Sequence, residues 1–183
     1  MAAAGVLLWL DMEMSGLEPD RERILEVATI LTDGNLTEIA LGPELVIRQS
    51  DELLAAMDPW NTKHHHGSGL VERVKASTIT EADAQAQMLA FIDQHVAAQE
   101  RPVLAGNSIH QDRRFVRRYL PELERRLHYR MVDVSTVKEL ARRWYPNLPT
   151  HKKKDSHRAL DDIRESIDEL RFYRAQVFAP ISP

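Results

Sequence analysis

The sequence predicts one α/β domain over residues 1–183, a mixed sheet with helices packed on its faces. Five short apolar runs of strand length are interleaved with segments of helical periodicity, in the order βββ-α-β-α-β-α. The first three runs follow one another, the second and third joined by tight punctuation, as in an antiparallel meander. The chain has 183 residues, 43% of them hydrophobic and 28% charged, enough for one ordinary core.

Taken in order, "VLLWLD" (6–11) is the first strand. "ILEVATILTD" (24–33) and "LTEIALGPELVIRQ" (36–49) are the next two, with Asp33, Gly34 and Asn35 as the hairpin signal between them. Residues 51–66 read as mostly helical or irregular, punctuated by Pro59. Thr80 and Asp83 form a variant capping box ahead of a helix whose apolar positions are Met88, Leu89, Ile92 and Val96. A strand at 102–106 precedes a helix around 111–120. A strand at 129–134 precedes a helix at 135–144, and a polar loop (146–156) leads to a last helix over about 157–178. No stretch approaches the roughly 18 apolar residues of a membrane span. The N-terminal run lacks a basic flank and is cut by Asp11, so a soluble, cytoplasmic protein is expected.

The composition narrows the chemistry. There is no cysteine, which excludes disulfides, Cys-based zinc sites and a thiol nucleophile. Of the 24 Lys/Arg and 28 Asp/Glu, residues 101–160 hold 15 and 6, so a basic half faces an acidic remainder. That split suits a polyanion whose phosphates also need cations, although paired arginines on helices also read as solvated faces.

Four acids stand where acids are costly. Asp11 and Glu13 lie two apart in the first strand, so they face one way while Leu10, Met12 and Met14 face the other. Asp112 lies three and four positions before Phe115 and Val116, on the inward face of its helix. In the last helix the stripe is Ala159, Leu160, Ile163, Ile167 and Leu170. At about 100° per residue, Asp162 falls roughly 100° from Ile163 and Asp161 roughly 160° from it, so Asp162 is the better site residue. The bland alternatives are a strand ending at Leu10, an Asp112 that complements a helix dipole, and a surface His157. Oxygen donors, with no cysteine and no histidine pair at ligand spacing, point to Mg²⁺ or Mn²⁺ rather than zinc. Two such ions can clamp the attacking and leaving oxygens of a phosphodiester, and a histidine can take the proton of the attacking water.

The segments "WLDMEMSGL", "DRERILEVATILTDGNL", "SGLVERVKAS", "GNSIHQDRRF", "HYRMVDVSTVKELARRW" and "HRALDDIRESIDEL", spanning Trp9 to about Tyr173, together resemble the DEDD exonuclease superfamily in its His-containing branch. The resemblance implies an RNase H-like fold with a five-stranded mixed sheet. It implies Asp11, Glu13, Asp112 and Asp162 as ligands of two divalent ions, Mg²⁺ or Mn²⁺, with His157 as general base; the His-x-x-x-x-Asp spacing lands on Asp162. The implied reaction is 3′→5′ hydrolysis of short RNA to nucleoside 5′-monophosphates, with dinucleotides preferred, linear di-GMP among them. Leu17 and Trp60 match residues that meet the bases. Ser108, Arg130 and Ser135 match a cap on the 5′ phosphate. Gln111, His65 and Tyr129 match further substrate contacts, the tyrosine acting across a homodimer. On their own, Leu17 reads as a turn residue, Trp60 as a partly buried aromatic, Arg130 as a surface cation and Ser135 as a helix N-cap. His64, His66 and His110 depart from the family pattern.

Overall fold

The computed structural model describes residues 5–151 and 159–178. Five strands form one sheet: β1 (Leu7–Met14), β2 (Ile24–Thr32), β3 (Glu38–Val46), β4 (Val103–Gly106) and β5 (Met131–Asp133). Their spatial order is β3-β2-β1-β4-β5. The first three pair antiparallel, whereas β1 with β4 and β4 with β5 run parallel. The predicted mixed sheet with its meander is therefore present. Eight helices accompany it among the described residues: α1 (Asp51–Ala55), α2 (Pro59–Gly67), α3 (Leu70–Ala76), α4 (Glu81–His95), α5 (His110–Tyr119), α6 (Pro121–Arg126), α7 (Val134–Trp144) and α8 (Ala159–Val177).

The sheet has a core on each face, and the strand period decides which residue joins which. Leu8, Leu10 and Met12 pack with Met88 and Ile92 of α4, Phe115 and Val116 of α5, and Leu123 of α6. Trp9, of opposite parity, packs with Ala141 of α7 and with Ile163 and Ile167 of α8. Trp9 is fully buried, and its indole N–H donates to Thr32 Oγ1 at 2.9 Å, so its one polar atom is satisfied. Asp11 and Glu13 share the parity of Trp9. They therefore lie on the face covered by α8.

Several boundaries differ from the sequence reading, each for a local reason. β1 continues past Leu10 and Asp11 to Met14, because β2 pairs with it along its whole length. The helix expected around 111–120 is followed by a separate one, α6, opened by Pro121, whose missing N–H costs nothing at a first turn. The strand expected at 129–134 is only Met131–Asp133, and α7 already includes Val134 and Ser135. The N-cap of α7 is Asp133, which accepts from the Ser135 N–H, so Ser135 is not the cap. The Thr80–Asp83 box is formed reciprocally, the shorter Asp reaching back as well as a Glu would. Among the described residues, no helix is long and apolar enough to cross a membrane.

Candidate active site

In open sheets with parallel strands, ligands gather beyond the strands' carboxyl ends. β1, β4 and β5 are parallel here, so Asp11 and Glu13, Asn107 and Ser108, and Asp133 and Ser135 come together at one end of the sheet. β4 pairs with β1 only from Leu7 to Trp9. Beyond Trp9 that edge of β1 is open, and the Met12 N–H donates instead to Asp112 Oδ1 at 3.1 Å. Asp112, 6% exposed, thus closes a broken ladder with a side chain from α5. Gly106 at the end of β4 permits the approach: a Cβ there would stand 2.9 Å from the Leu10 carbonyl oxygen.

Asp11, Glu13 and Asp162 each place a carboxylate oxygen within 4.8 Å of the others. Two come from β1 and the third from the first turn of α8, which crosses the same face. Burial pushes the Glu13 carboxyl up to about 7, and the charges of Asp162 and Glu26 push it the same way while Arg73 opposes them. Glu26 is Glu13's register partner on β2, itself buried and held by the Arg73 guanidinium of α3. Burial also raises Asp112 to about 7, against hydrogen bonds that include the Met12 N–H; the charges of Glu13 and Asp133 add to the rise. Asp112 is not one of the three within 4.8 Å, but stands next to them across Met12. A cluster of oxygen donors that takes up protons this readily fits a divalent cation. Asp161, expected to face away, pairs with Arg164 at 4.0 Å instead.

On the other flank, the Ser108 N–H donates to Asp133 Oδ1 and to Ser135 Oγ, each at 3.0 Å. The Ser108 and Ser135 hydroxyls lie 3.2 Å apart. Ser108 has φ 50°, the left-handed region that a non-glycine residue enters at a cost. His110, one of the departures from the family pattern, has Nδ1 at 3.3 Å from Asp133 Oδ2.

Sequence reasoning missed Asn107, which ties these flanks together. Its amide donates to Ser166 Oγ at 2.7 Å and to Glu169 Oε2 at 3.2 Å, and its oxygen accepts from Ser135 at 3.1 Å. Ser166 in turn donates to the Asp162 carbonyl at 2.8 Å. A hydrogen-bonded chain therefore runs from the helix turn carrying Asp162 to the paired serines. The available signal was a polar residue directly after a strand ending in glycine. Asp133, also missed, carried the Asp-x-Ser spacing of an Asx cap.

The rim is aromatic and apolar. Leu17 is 58% exposed, Trp60 68% and Tyr129 71%, so Trp60 is not the partly buried aromatic that its sequence context indicates. The Trp60 ring stacks on His64 at 4.8 Å, and Tyr129 on His128 at 4.5 Å with the Arg130 guanidinium 5.4 Å from its centroid. Arg114 donates to the Leu17 carbonyl at 3.1 Å and to Gln111 Oε1 at 2.8 Å, so Gln111 helps fix the Leu17 loop. His65 is buried, with Nε2 at 2.9 Å from the Met14 carbonyl and a pKa lowered chiefly by burial. His157 lies outside the described residues.

The family model described as Exonuclease (RNase T) matches residues 8–170. A curated relative from Alcanivorax borkumensis, named oligoribonuclease, is 57% identical over 169 residues, 92% of this chain and 93% of its own. Another of that name from Shewanella oneidensis is 55% identical over 178 residues, 97% of this chain and 98% of its own. Among solved structures, an Escherichia coli exonuclease I–single-stranded DNA complex superposes with a TM-score of 0.75 at 16% identity over 94% of this chain. Exonuclease I from Methylocaldum szegediense gives 0.73 at 20% identity over 94% of it. The chain spans about two fifths (41%) of each of those two proteins, and the likeness shows their RNase H-like fold.

Proposed function

The chain belongs to the oligoribonuclease family of RNase T-type exonucleases, and from that premise we propose a 3′→5′ exoribonuclease that hydrolyses dinucleotides and other short RNAs to nucleoside 5′-monophosphates. The observation that carries the reading is the meeting of Asp11, Glu13 and Asp162 within 4.8 Å beside Asp112. These four would hold two divalent ions, Mg²⁺ or Mn²⁺. When bound, such ions supply Lewis-acid stabilisation of the charge that develops on a phosphodiester.

The chain's own residues do the rest. Leu17 and Trp60 offer exposed apolar surface for bases, a contact that tolerates every base. Ser108, Ser135 and Arg130 would grip a 5′ phosphate, and a cap at a fixed distance from the carboxylates favours substrates two nucleotides long. His65 and Gln111 complete the substrate contacts, His65 by fixing the end of β1 and Gln111 by fixing the Leu17 loop. His157 would take the proton of the attacking water, a role suited to imidazole. Exposed Tyr129, Met131, Leu140 and Trp144 support a homodimer on the β5–α7 side, with Tyr129 serving the partner's site. Linear di-GMP is one expected dinucleotide substrate.

A time course on 5′-labelled RNAs of two to about ten nucleotides, and on matched DNAs, with Mg²⁺, Mn²⁺ or EDTA tests the proposal. RNA dinucleotides should turn over fastest, with either ion and not with EDTA. Equal turnover of long DNA would make the protein a DNA-trimming enzyme of the same fold. Binding without divalent-dependent hydrolysis would make it a nucleic-acid-binding module.

A further inference from the structure

The three histidines at 64–66 close α2 beside the carboxylates, and two of them turn toward Glu13. Glu13, His64 and His65 each offer a ligand atom within 4.8 Å of the others. His65 Nδ1 is 3.9 Å from Glu13 Oε2. His65 is 1% exposed, and its Nδ1 is a buried polar atom with no hydrogen-bond partner among the described residues. The other ring nitrogen, Nε2, is 2.9 Å from the Met14 carbonyl. A carbonyl only accepts, so Nε2 carries the proton and Nδ1 presents a lone pair toward Glu13. A histidine held by a backbone carbonyl on one nitrogen, with the other aimed into a cluster of donors, is the usual arrangement of a metal-ligating imidazole.

We infer that Glu13, His64 and His65 form a further cation site, selective for a borderline ion of the zinc class and distinct from the all-oxygen site of Asp11, Glu13 and Asp162. Two imidazole nitrogens and one carboxylate suit Zn²⁺ or Co²⁺ and suit Mg²⁺ poorly. Metal–donor bonds of about 2.0–2.2 Å bring tetrahedral donors closer together than they are here. The partly exposed side chains of Glu13 and His64 rotate inward to reach them, while buried His65 stays fixed. Three protein donors leave a fourth position open. His64 also stacks on Trp60 with the rings 8° from parallel, so an ion on His64 stands beside the surface proposed to receive a base.

The site itself rests on these three side chains. Its consequence rests on the hard-ion reading above: an ion drawing Glu13 toward the histidines removes a ligand from the Mg²⁺ site, so Zn²⁺ inhibits the Mg²⁺-loaded protein.

Equilibrium binding of Zn²⁺ by calorimetry in excess Mg²⁺, with the visible spectrum of the Co²⁺ form, tests the assignment in the wild type, His64→Ala and Asp162→Asn. We expect a Zn²⁺ site that His64→Ala weakens by at least about tenfold, the lower end of what loss of even an outer-shell partner costs. Asp162→Asn should leave it within about threefold, and the Co²⁺ form should show the stronger absorption of a nitrogen-bearing, low-coordinate site that His64→Ala abolishes. Zn²⁺ affinity that depends on Asp162 and not on His64 would place the ion among the carboxylates and overturn the inference, leaving the hard-ion site intact. Equal affinity in all three proteins, or no binding, would overturn it as well. Zn²⁺ that binds through His64 without slowing Mg²⁺-dependent turnover would overturn only the competition at Glu13.

Discussion

Asp162→Asn should remove nearly all turnover of an RNA dinucleotide, on the order of 10³-fold, whereas Asp161→Asn should retain most of it. The two aspartates are neighbours in the first turn of α8 and differ in what they face. Asp162 brings an oxygen within 4.8 Å of those of Asp11 and Glu13, while Asp161 reaches Arg164 at 4.0 Å with 46% of its side chain exposed. Asparagine keeps the shape of Asp162 and removes the negative charge. The Ser166 hydrogen bond to residue 162 goes to the backbone and survives the change. What is lost is the charge that would hold a cation against the phosphate, worth several kcal/mol in a transition state at about 1.36 kcal/mol per tenfold. The exposed Asp161 pair contributes little. The measurement is kcat for each variant at saturating Mg²⁺, with matched thermal melts to exclude misfolding. Similar losses in both would mean that the face of α8 toward the site has been misassigned.

That contrast was legible in the sequence because it needs only local geometry. The strand period put Asp11 and Glu13 on one face, and the helical period put Asp162 nearer the apolar stripe than Asp161; in the structure these three meet. The inward face of Asp112 was equally legible, but not its bond to the Met12 N–H. Met12 lacks a partner on its β4 edge because the pairing of β1 with β4 stops at Trp9 and Ala105, a consequence of strand pairing across about 100 residues. Asn107 was invisible for the same reason: its three side-chain partners lie on α7 and α8, and no periodicity links a residue after β4 to them. The alternative of Trp60 as a partly buried aromatic fails because the placement of α2 on the rim leaves this ring exposed, although aromatic residues are more often covered than bare. The alternative of Ser135 as a helix N-cap fails because the strand before it ends at Asp133, one residue sooner than its apolar run indicates, and Asp133 takes that place.

The metal-free protein should be less stable at about pH 8 than at about pH 5.5, and saturating Mg²⁺ should remove most of the difference. Burial raises both Glu13 and Asp112 from the ordinary carboxylate range to about 7. Between the unfolded value near 4 and the folded value near 7, the native state holds protons that the unfolded chain has released. Stability therefore falls as pH rises through that window. The favourable contribution is complete below the unfolded pKa and gone above the folded one. Of a shift of the size seen at Glu13, about one unit is already lost by pH 5.5, so the fall from there to pH 8 is roughly 2 kcal/mol at 1.36 kcal/mol per unit. Asp112 adds less than its own shift, because the two charges act on each other. For a chain of this size, about 2–4 °C per kcal/mol makes that a fall of roughly 4–8 °C in Tm. A bound divalent ion replaces the missing protons, so it stabilises more at pH 8 than at pH 5.5. Thermal melts with EDTA or Mg²⁺ at both pH values measure this. Asp112→Asn serves as the internal control, since its amide oxygen still accepts the Met12 N–H while its charge no longer titrates. A pH dependence equally steep in Asp112→Asn and in Glu13→Gln would mean that other groups carry it. A Mg²⁺ increment no larger at pH 8 than at pH 5.5 would mean that the ion does not bind where these carboxylates repel one another.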